Sequence, residues 1–204
     1  YPQVFEYTQI WMEDITHETN RGAETFTLSS TNKLLKNYQW ATGLKTGSTS
    51  KAKFCLSATA DKDGLQMIAV VMGADDSKTR FSEAITLLNY GYSVSHIYED
   101  KNKDALPEVT VTGAIQEKTE VKYEKEFRYL DITGQDLSAV EKLISLPEEV
   151  QAPVEAGKVA GEAIYLLSGE KIGTVPILFA ENVPLATYKD YLKKVFGIYV
   201  FVSS

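Results

Sequence analysis

The chain has 204 residues, 44% of them apolar, which is enough for one good core or two small ones, and two is the better reading. A formal charge of −7 and a pI near 5.0 exclude the basic stripe that a nucleic-acid partner needs to neutralise phosphates. The single cysteine, Cys55, excludes an intrachain disulfide, and with only two histidines no convincing zinc set can be assembled, so no metal is expected.

The first residues, Tyr1-Pro2-Gln3-Val4-Phe5-Glu6, lack the basic region, apolar run and cleavage site of a secretory leader and read like the middle of a protein. No run reaches the roughly 18–20 apolar residues that span a bilayer. Val4, Tyr7, Thr8 and Trp11 stand at helical spacing and predict a short amphipathic helix within residues 2–13. Strand-like patterns follow from Glu24 to Leu28 and again from Leu44 to Leu56. Leu65–Met72 is a strong strand between Gly64 and Gly73. The Asp61-Lys62-Asp63-Gly64 turn predicts that residues 44–60 and 65–72 form an antiparallel hairpin. Within it, Cys55 is expected to be a buried small hydrophobe. A helix comes next, with Ser77 as N-cap, Phe81, Ala84, Ile85, Leu87 and Leu88 as its buried stripe, and closure near Gly91.

The polar, charged stretch 93–108 suits a crossing between domains, with a boundary near residue 95. Beyond it, short β-like units recur at 109–111, 119–123, 127–131, 140–146, 161–167 and 174–179, separated by turn residues such as Gly113, Gly134, Pro147, Gly157 and Gly169. That pattern predicts a sandwich. Residues 138–145 also fit a helix by propensity. The last segment puts Tyr188, Tyr191, Leu192, Val195, Phe196, Tyr199 and Val200 on one helical face, with Lys189, Asp190, Lys193, Lys194 and Gly197 opposite. Such a helix suits a membrane interface, or equally a terminal helix docked on the sandwich.

Residues 41–58 hold the most chemistry, because Lys45-Thr46-Gly47 opens an alternating strand behind Gly43. Lys45 offers a compact cation, the Thr46 hydroxyl can donate to an anionic oxygen, and Gly47 removes a side chain where a substrate backbone would approach. Lys-Thr-Gly is one of the signatures of β-lactamases and penicillin-binding proteins. The wider set, Thr31-Asn32-Lys33-Leu34-Leu35, Gly43 through Thr49, Met72-Gly73-Ala74 and Arg80-Phe81, resembles serine D-alanyl-D-alanine carboxypeptidases, the low-molecular-mass penicillin-binding proteins. Leu146 through Val154 and Gly157 through Gly161 look like the small β-rich domain that follows the catalytic domain there, and only on that family resemblance is a strand preferred over residues 138–145.

The resemblance implies an α+β chain: the C-terminal part of a transpeptidase-like domain over 1–95, with an antiparallel sheet and flanking helices, an all-β sandwich over 96–187, and an amphipathic terminal segment over 188–204. It places the chain in the cell envelope outside the cytoplasm, where the enzyme trims terminal D-alanine from peptidoglycan stem peptides and is acylated by β-lactams, with no cofactor required. Lys45 would supply positive potential, Thr46 would bind the substrate carboxylate, Gly47 would allow close approach, and the backbone N–H of Ser48 would be one of two oxyanion donors. The nucleophile would lie outside these 204 residues. Ser30–Lys33 and Ser48–Lys51 both satisfy Ser-x-x-Lys, but the second is expected on a strand, where the spacing parts the two side chains, and the first is too near Lys45. Asn32 is read as either a site-shaping residue or a turn cap. Asp75-Asp76, Glu148-Glu149 and Asp61/Asp63 are read as surface turns. The competing possibility is a noncatalytic envelope spacer with a relic strand. An open edge along the Leu44–Leu56 strand, inviting self-association, is expected if upstream strands are missing.

Overall fold

The computed structural model describes residues 1–20 and 22–201, with side chains described as far as residue 196. Two compact units divide the chain, Tyr1–Val94 and Ser95–Ser204.

In the first unit, helix α1 (Val4–Thr8) is followed by strands β1 (Met12–Thr19) and β2 (Gly22–Ser29), then helix α2 (Leu34–Asn37), strands β3 (Ala41–Thr49), β4 (Lys53–Lys62) and β5 (Leu65–Ala74), and helix α3 (Ser77–Val94). The helix predicted within residues 2–13 is cut to five residues. Its place from Met12 onward is taken by β1, which pairs with β2 in a two-stranded ribbon that opposes Ile15 to Phe26 and exposes its described residues. Period-3.6 spacing over so few residues lost to strand pairing with the segment that follows.

β3, β4 and β5 form an antiparallel sheet in that order. The β4–β5 turn is the predicted Asp61–Gly64 hairpin, in which the Asp61 carboxylate accepts from the Gly64 N–H at 3.1 Å. Residues 44–60, however, are two strands, because the chain reverses at Ser50–Ala52, where the Ala52 N–H donates to the Thr49 hydroxyl at 2.9 Å. That turn has no Asn-Gly or Asp-Gly signal, so alternation alone ran through it. α3 covers one face of the sheet, and the core is Leu56, Ala58, Ala60, Ala69 and Val71 against Phe81, Ala84 and Leu88, joined by Leu34 and Tyr38. Alanines on the sheet let the helix approach closely. Four details differ from expectation. The cap of α3 is Asp76, whose carboxylate accepts from the Lys78 and Thr79 N–H groups at 2.7 and 2.8 Å. Leu87 points outward and is exposed, and the helix runs past Gly91 to Val94. Cys55 is half-buried, with its thiol on the Ala52 carbonyl.

The second unit begins with β6 (His96–Asp100), a strand inside the stretch read as a domain crossing, and continues through β7 (Val109–Thr112), β8 (Lys118–Thr119), β9 (Val121–Tyr123) and β10 (Phe127–Asp131). A single 3₁₀ turn at Leu137–Ala139 leads into β11 (Glu141–Ser145), so strand pairing decides the ambiguous 138–145 segment. β12 (Glu149–Gln151), β13 (Val159–Leu167), β14 (Glu170–Phe179) and helix α4 (Tyr188–Phe201) complete it. The four-stranded sheet runs β11-β13-β14-β9, a second sheet runs β12-β7-β8, and β10 pairs with β6. These sheets make a β-sandwich with two apolar clusters. Phe127 of β10 stacks flat on Tyr165 of β13, centroids 3.7 Å apart, over Ala163, Val175 and Ile177. Val109, Val111, Ala152, Val154, Phe179 and Val183 make the other. The fold is therefore α+β: a small antiparallel sheet with flanking helices, then a sandwich.

Candidate active site

Alternation along β3 sends Lys45 and Thr46 to opposite faces of the sheet, because Lys45 sits across from Ser57 and Thr46 across from Leu56. Thr46 thus shares the core face and is 8% exposed, whereas Lys45 is exposed, with its ammonium folded onto the Thr46 carbonyl at 2.6 Å. The buried Thr46 hydroxyl lies 2.9 Å from the Thr31 hydroxyl. Thr31 is exposed and precedes Asn32, whose side-chain oxygen accepts from the Leu34 N–H at 3.2 Å and starts α2. Asn32 is 3% exposed, and its amide nitrogen has no hydrogen-bond partner among the described residues. A turn-capping role for Asn32 is therefore visible, while half of its hydrogen-bonding capacity is unused.

Gly47 is exposed, and a Cβ built there would meet no atom within 4 Å, so the backbone face beside it is open to close approach. Gly43 is glycine for a different reason. Its φ is +143°, and a Cβ would come within 2.7 Å of Thr8, whose hydroxyl donates to the Thr42 carbonyl at 2.8 Å. α1 is thereby tied to β3 at the start of the motif strand.

Sequence reasoning gave Arg80 no role in the site, and the structure puts it directly behind. Arg80 is 7% exposed, and its guanidinium donates to the carbonyls of Gly47 at 3.2 Å and Cys55 at 3.3 Å and to the Ser77 hydroxyl at 3.2 Å. It also lies near the rings of Phe54 and Phe81, at 5.5 and 4.8 Å. Among the described residues no carboxylate lies within salt-bridge distance of it. Gly47 C=O and Ser48 N–H belong to one amide, so a cation on that oxygen withdraws electron density and makes the Ser48 N–H a stronger donor. A signal was available: Arg80 occupies a position on α3 that helical spacing from Phe81, Ala84 and Leu88 places at the buried face.

The two Ser-x-x-Lys segments are not helical. Ser30 accepts from the Asn32 N–H at 3.2 Å in the loop before α2. Ser48 is the next-to-last residue of β3 and Lys51 lies in the following turn, which corrects the expectation that both sit on one strand. Asp75 pairs with Lys53, and Asp76 caps α3 with its carboxyl held below the usual range by hydrogen bonds from the Thr79 backbone and hydroxyl. Neither aspartate faces a second carboxylate as a catalytic pair would. Lys45, Thr46, Gly47 and Ser48 thus follow one another along β3, with the Lys45 ammonium and the Thr46 hydroxyl on opposite faces and the Gly47 backbone open between them and Ser48.

Comparison with known proteins adds the context. Residues 2–76 match the family described as D-alanyl-D-alanine carboxypeptidase, and residues 92–185 match the penicillin-binding protein 5 C-terminal domain. The carboxypeptidase DacF of Bacillus subtilis is 28% identical over 198 residues, 97% of this chain and 50% of that protein. DacC of Escherichia coli is 31% identical over 143 residues, 69% of this chain and 36% of that protein. Penicillin-binding protein 5 from Haemophilus influenzae shares the fold, with a TM-score of 0.63 at 24% identity over 90% of this chain and 52% of that one. The chain spans about half the length, or less, of the relatives it matches.

Proposed function

This chain belongs to the low-molecular-mass penicillin-binding proteins, the D-alanyl-D-alanine carboxypeptidase family, and from that premise we propose that it forms part of a serine enzyme that removes terminal D-alanine from peptidoglycan stem peptides. The observation that carries the reading is the Lys45-Thr46-Gly47 edge itself: an open backbone at Gly47, a cation at Lys45, a hydroxyl at Thr46, and Arg80 behind the Gly47–Ser48 amide. In this role the Thr46 hydroxyl binds the terminal carboxylate of the D-Ala-D-Ala unit, Lys45 supplies positive potential from the other face of the strand, and the Ser48 N–H donates to the scissile carbonyl as it becomes an oxyanion. Two converging donors are needed there, and the second comes from the backbone of the nucleophilic serine. That serine would sit in a helical Ser-x-x-Lys, with its lysine one turn on as the group that eases deprotonation. Neither Ser-x-x-Lys segment of this chain has that geometry, so the nucleophile is supplied by residues outside these 204. β-Lactams would acylate the same serine.

The substrate places the site outside the cytoplasmic membrane. α4 is neither long nor apolar enough to cross a bilayer. It exposes Tyr188, Tyr191, Leu192, Val195 and Phe196, as a helix lying in a membrane interface would. The Tyr199 and Val200 side chains of the expected apolar face and residues 202–204 lie outside what is described.

The reading is tested with fluorescent penicillin. The 204-residue chain alone should form no covalent adduct and release no D-alanine, and the same residues joined behind a nucleophile-bearing half should do both. Stoichiometric labelling of the 204-residue chain, mapped to Ser30 or Ser48, would overturn the assignment of the nucleophile.

A further inference from the structure

The Thr46 hydroxyl does not stand alone. It is buried on the core face of β3, and its near neighbour is the hydroxyl of Thr31, 2.9 Å away across 15 residues of chain. A threonine hydroxyl carries one proton and two lone pairs. If Thr46 spends its proton on Thr31, it has none for a ligand. If Thr31 donates to Thr46, the Thr46 proton is free and is made more acidic by the bond it receives. An anion arriving at the pair selects whichever arrangement turns a proton outward. Thr31 is the exposed member and is held where it is by its neighbours: Asn32 N–H bonds to Ser30, and Asn32 caps α2, whose Leu34 is fully buried.

We propose that Thr31 and Thr46 form one two-hydroxyl anion site, in which Thr31 is a further binding residue for the terminal carboxylate of the substrate. The proposal rests on the functional reading above and deepens it. Thr31 contributes the solvent-facing hydroxyl, Thr46 the buried one, and the single hydrogen bond between them reorients so that the chain O–H···O–H ends on a carboxylate oxygen. Lys45 adds long-range attraction from the other face of the strand. The pair discriminates by charge: a carboxylate accepts from the hydroxyl chain, whereas a terminal carboxamide presents an NH₂ donor and a weaker acceptor.

The test uses the 204-residue chain and follows the amide signals of Thr46, Gly47 and Ser48 by NMR during titration with N-acetyl-D-alanyl-D-alanine and, separately, with its C-terminal carboxamide. The native chain should prefer the carboxylate. Thr31→Val should weaken carboxylate binding by roughly tenfold, the scale of losing a hydrogen bond to a charged group, and leave carboxamide binding in place. Thr31→Ser should restore the preference. Thr31→Val combined with Thr46→Val should lose no more than the larger single loss, because the two hydroxyls act as a unit. Thr31 is exposed, so loss of the native spectrum in the valine variant is not expected, and Thr31→Ala gives the same reading if it occurs. Equal preference in the native chain and in both Thr31 variants would overturn the two-hydroxyl site and leave the role of Thr46 standing. No preference even in the native chain would overturn the carboxylate role of this strand, and this inference with it.

Discussion

At the scale of single residues, the chemistry of the motif depends on what lies behind it. Thr46 is buried with its hydroxyl oxygen 2.9 Å from that of Thr31, so the oxygen is positioned before any ligand arrives while its proton stays free to turn. When these residues are joined behind a nucleophile-bearing half, Thr46→Val should slow acylation by a β-lactam on the order of 10²-fold or more, measured by stopped-flow with a reporter cephalosporin. An unchanged rate would remove the functional meaning of the motif. Arg80 has a structural share that can be read without catalysis. Arg80→Met keeps the aliphatic stem but leaves the Gly47 and Cys55 carbonyls without their donor, which should cost about 2 kcal/mol of stability. Both tryptophans, Trp11 and Trp40, lie in the first unit, so tryptophan fluorescence during urea unfolding reports this loss selectively. A variant as stable as the native chain would show that the guanidinium merely fills space.

At the scale of elements, the sandwich is pinned by a polar cluster among its strands. Lys142 of β11 donates to Asp100 at 2.8 Å and to Asp104 at 2.9 Å, and the Tyr165 hydroxyl of β13 donates to Asp100 at 3.0 Å and lies 2.6 Å from the Asn102 side chain. Burial raises the Asp100 carboxyl, but the bonds from Lys142, the Asn102 backbone and Tyr165 outweigh it and hold it below its ordinary value. Burial likewise opposes charge on Lys142, and its hydrogen bonds to Asp100 and Asp104 raise it nonetheless. A carboxylate depressed in the folded state adds stability that is complete above its unfolded value of about 3.9 and is lost as pH falls through the lower folded value. The second unit should therefore lose stability on acidification below about pH 4, and Asp100→Asn should flatten that slope while lowering stability at neutral pH. The amide NMR signals of β11 and β13 follow it. An identical acid slope in native and variant chains would place the sensitivity elsewhere.

At the scale of the whole molecule, the two units are closed to different degrees. In the first, β3 and β5 each pair only with β4 among the described residues, and Ile68, Val70 and Met72 of β5 are 74%, 60% and 79% exposed on the face away from α3. α1 reaches β3 through Thr8 and Thr42, but β5 carries no charged residue along Leu65–Ala74, and such edges tend to pair with another strand. Amide exchange should show β5 less protected than β13 and β14, and sedimentation should show association that rises with concentration and depends on residues 65–74. Equal protection in the two units of a strictly monomeric chain would mean that residues 1–94 are a closed unit.

The Lys45–Gly47 strand, the Asp61–Gly64 hairpin, the apolar stripe of α3 at Phe81, Ala84 and Leu88, and most strands of the sandwich are legible in the order of the amino acids alone. Each of these rests on local rules of periodicity or turn chemistry, which need no distant partner. Packing and pairing set where alternation breaks at Ser50–Ala52, that a strand begins at Met12, and that His96–Asp100 is a strand paired with Phe127–Asp131. They also set the surroundings of the motif, Thr31 against Thr46 and Arg80 against the Gly47 carbonyl. Those contacts join residues 15 and 33 positions apart, and a hydrogen bond between such positions leaves no mark in the local pattern of either segment, because it is set by how helix and sheet pack rather than by the spacing within them.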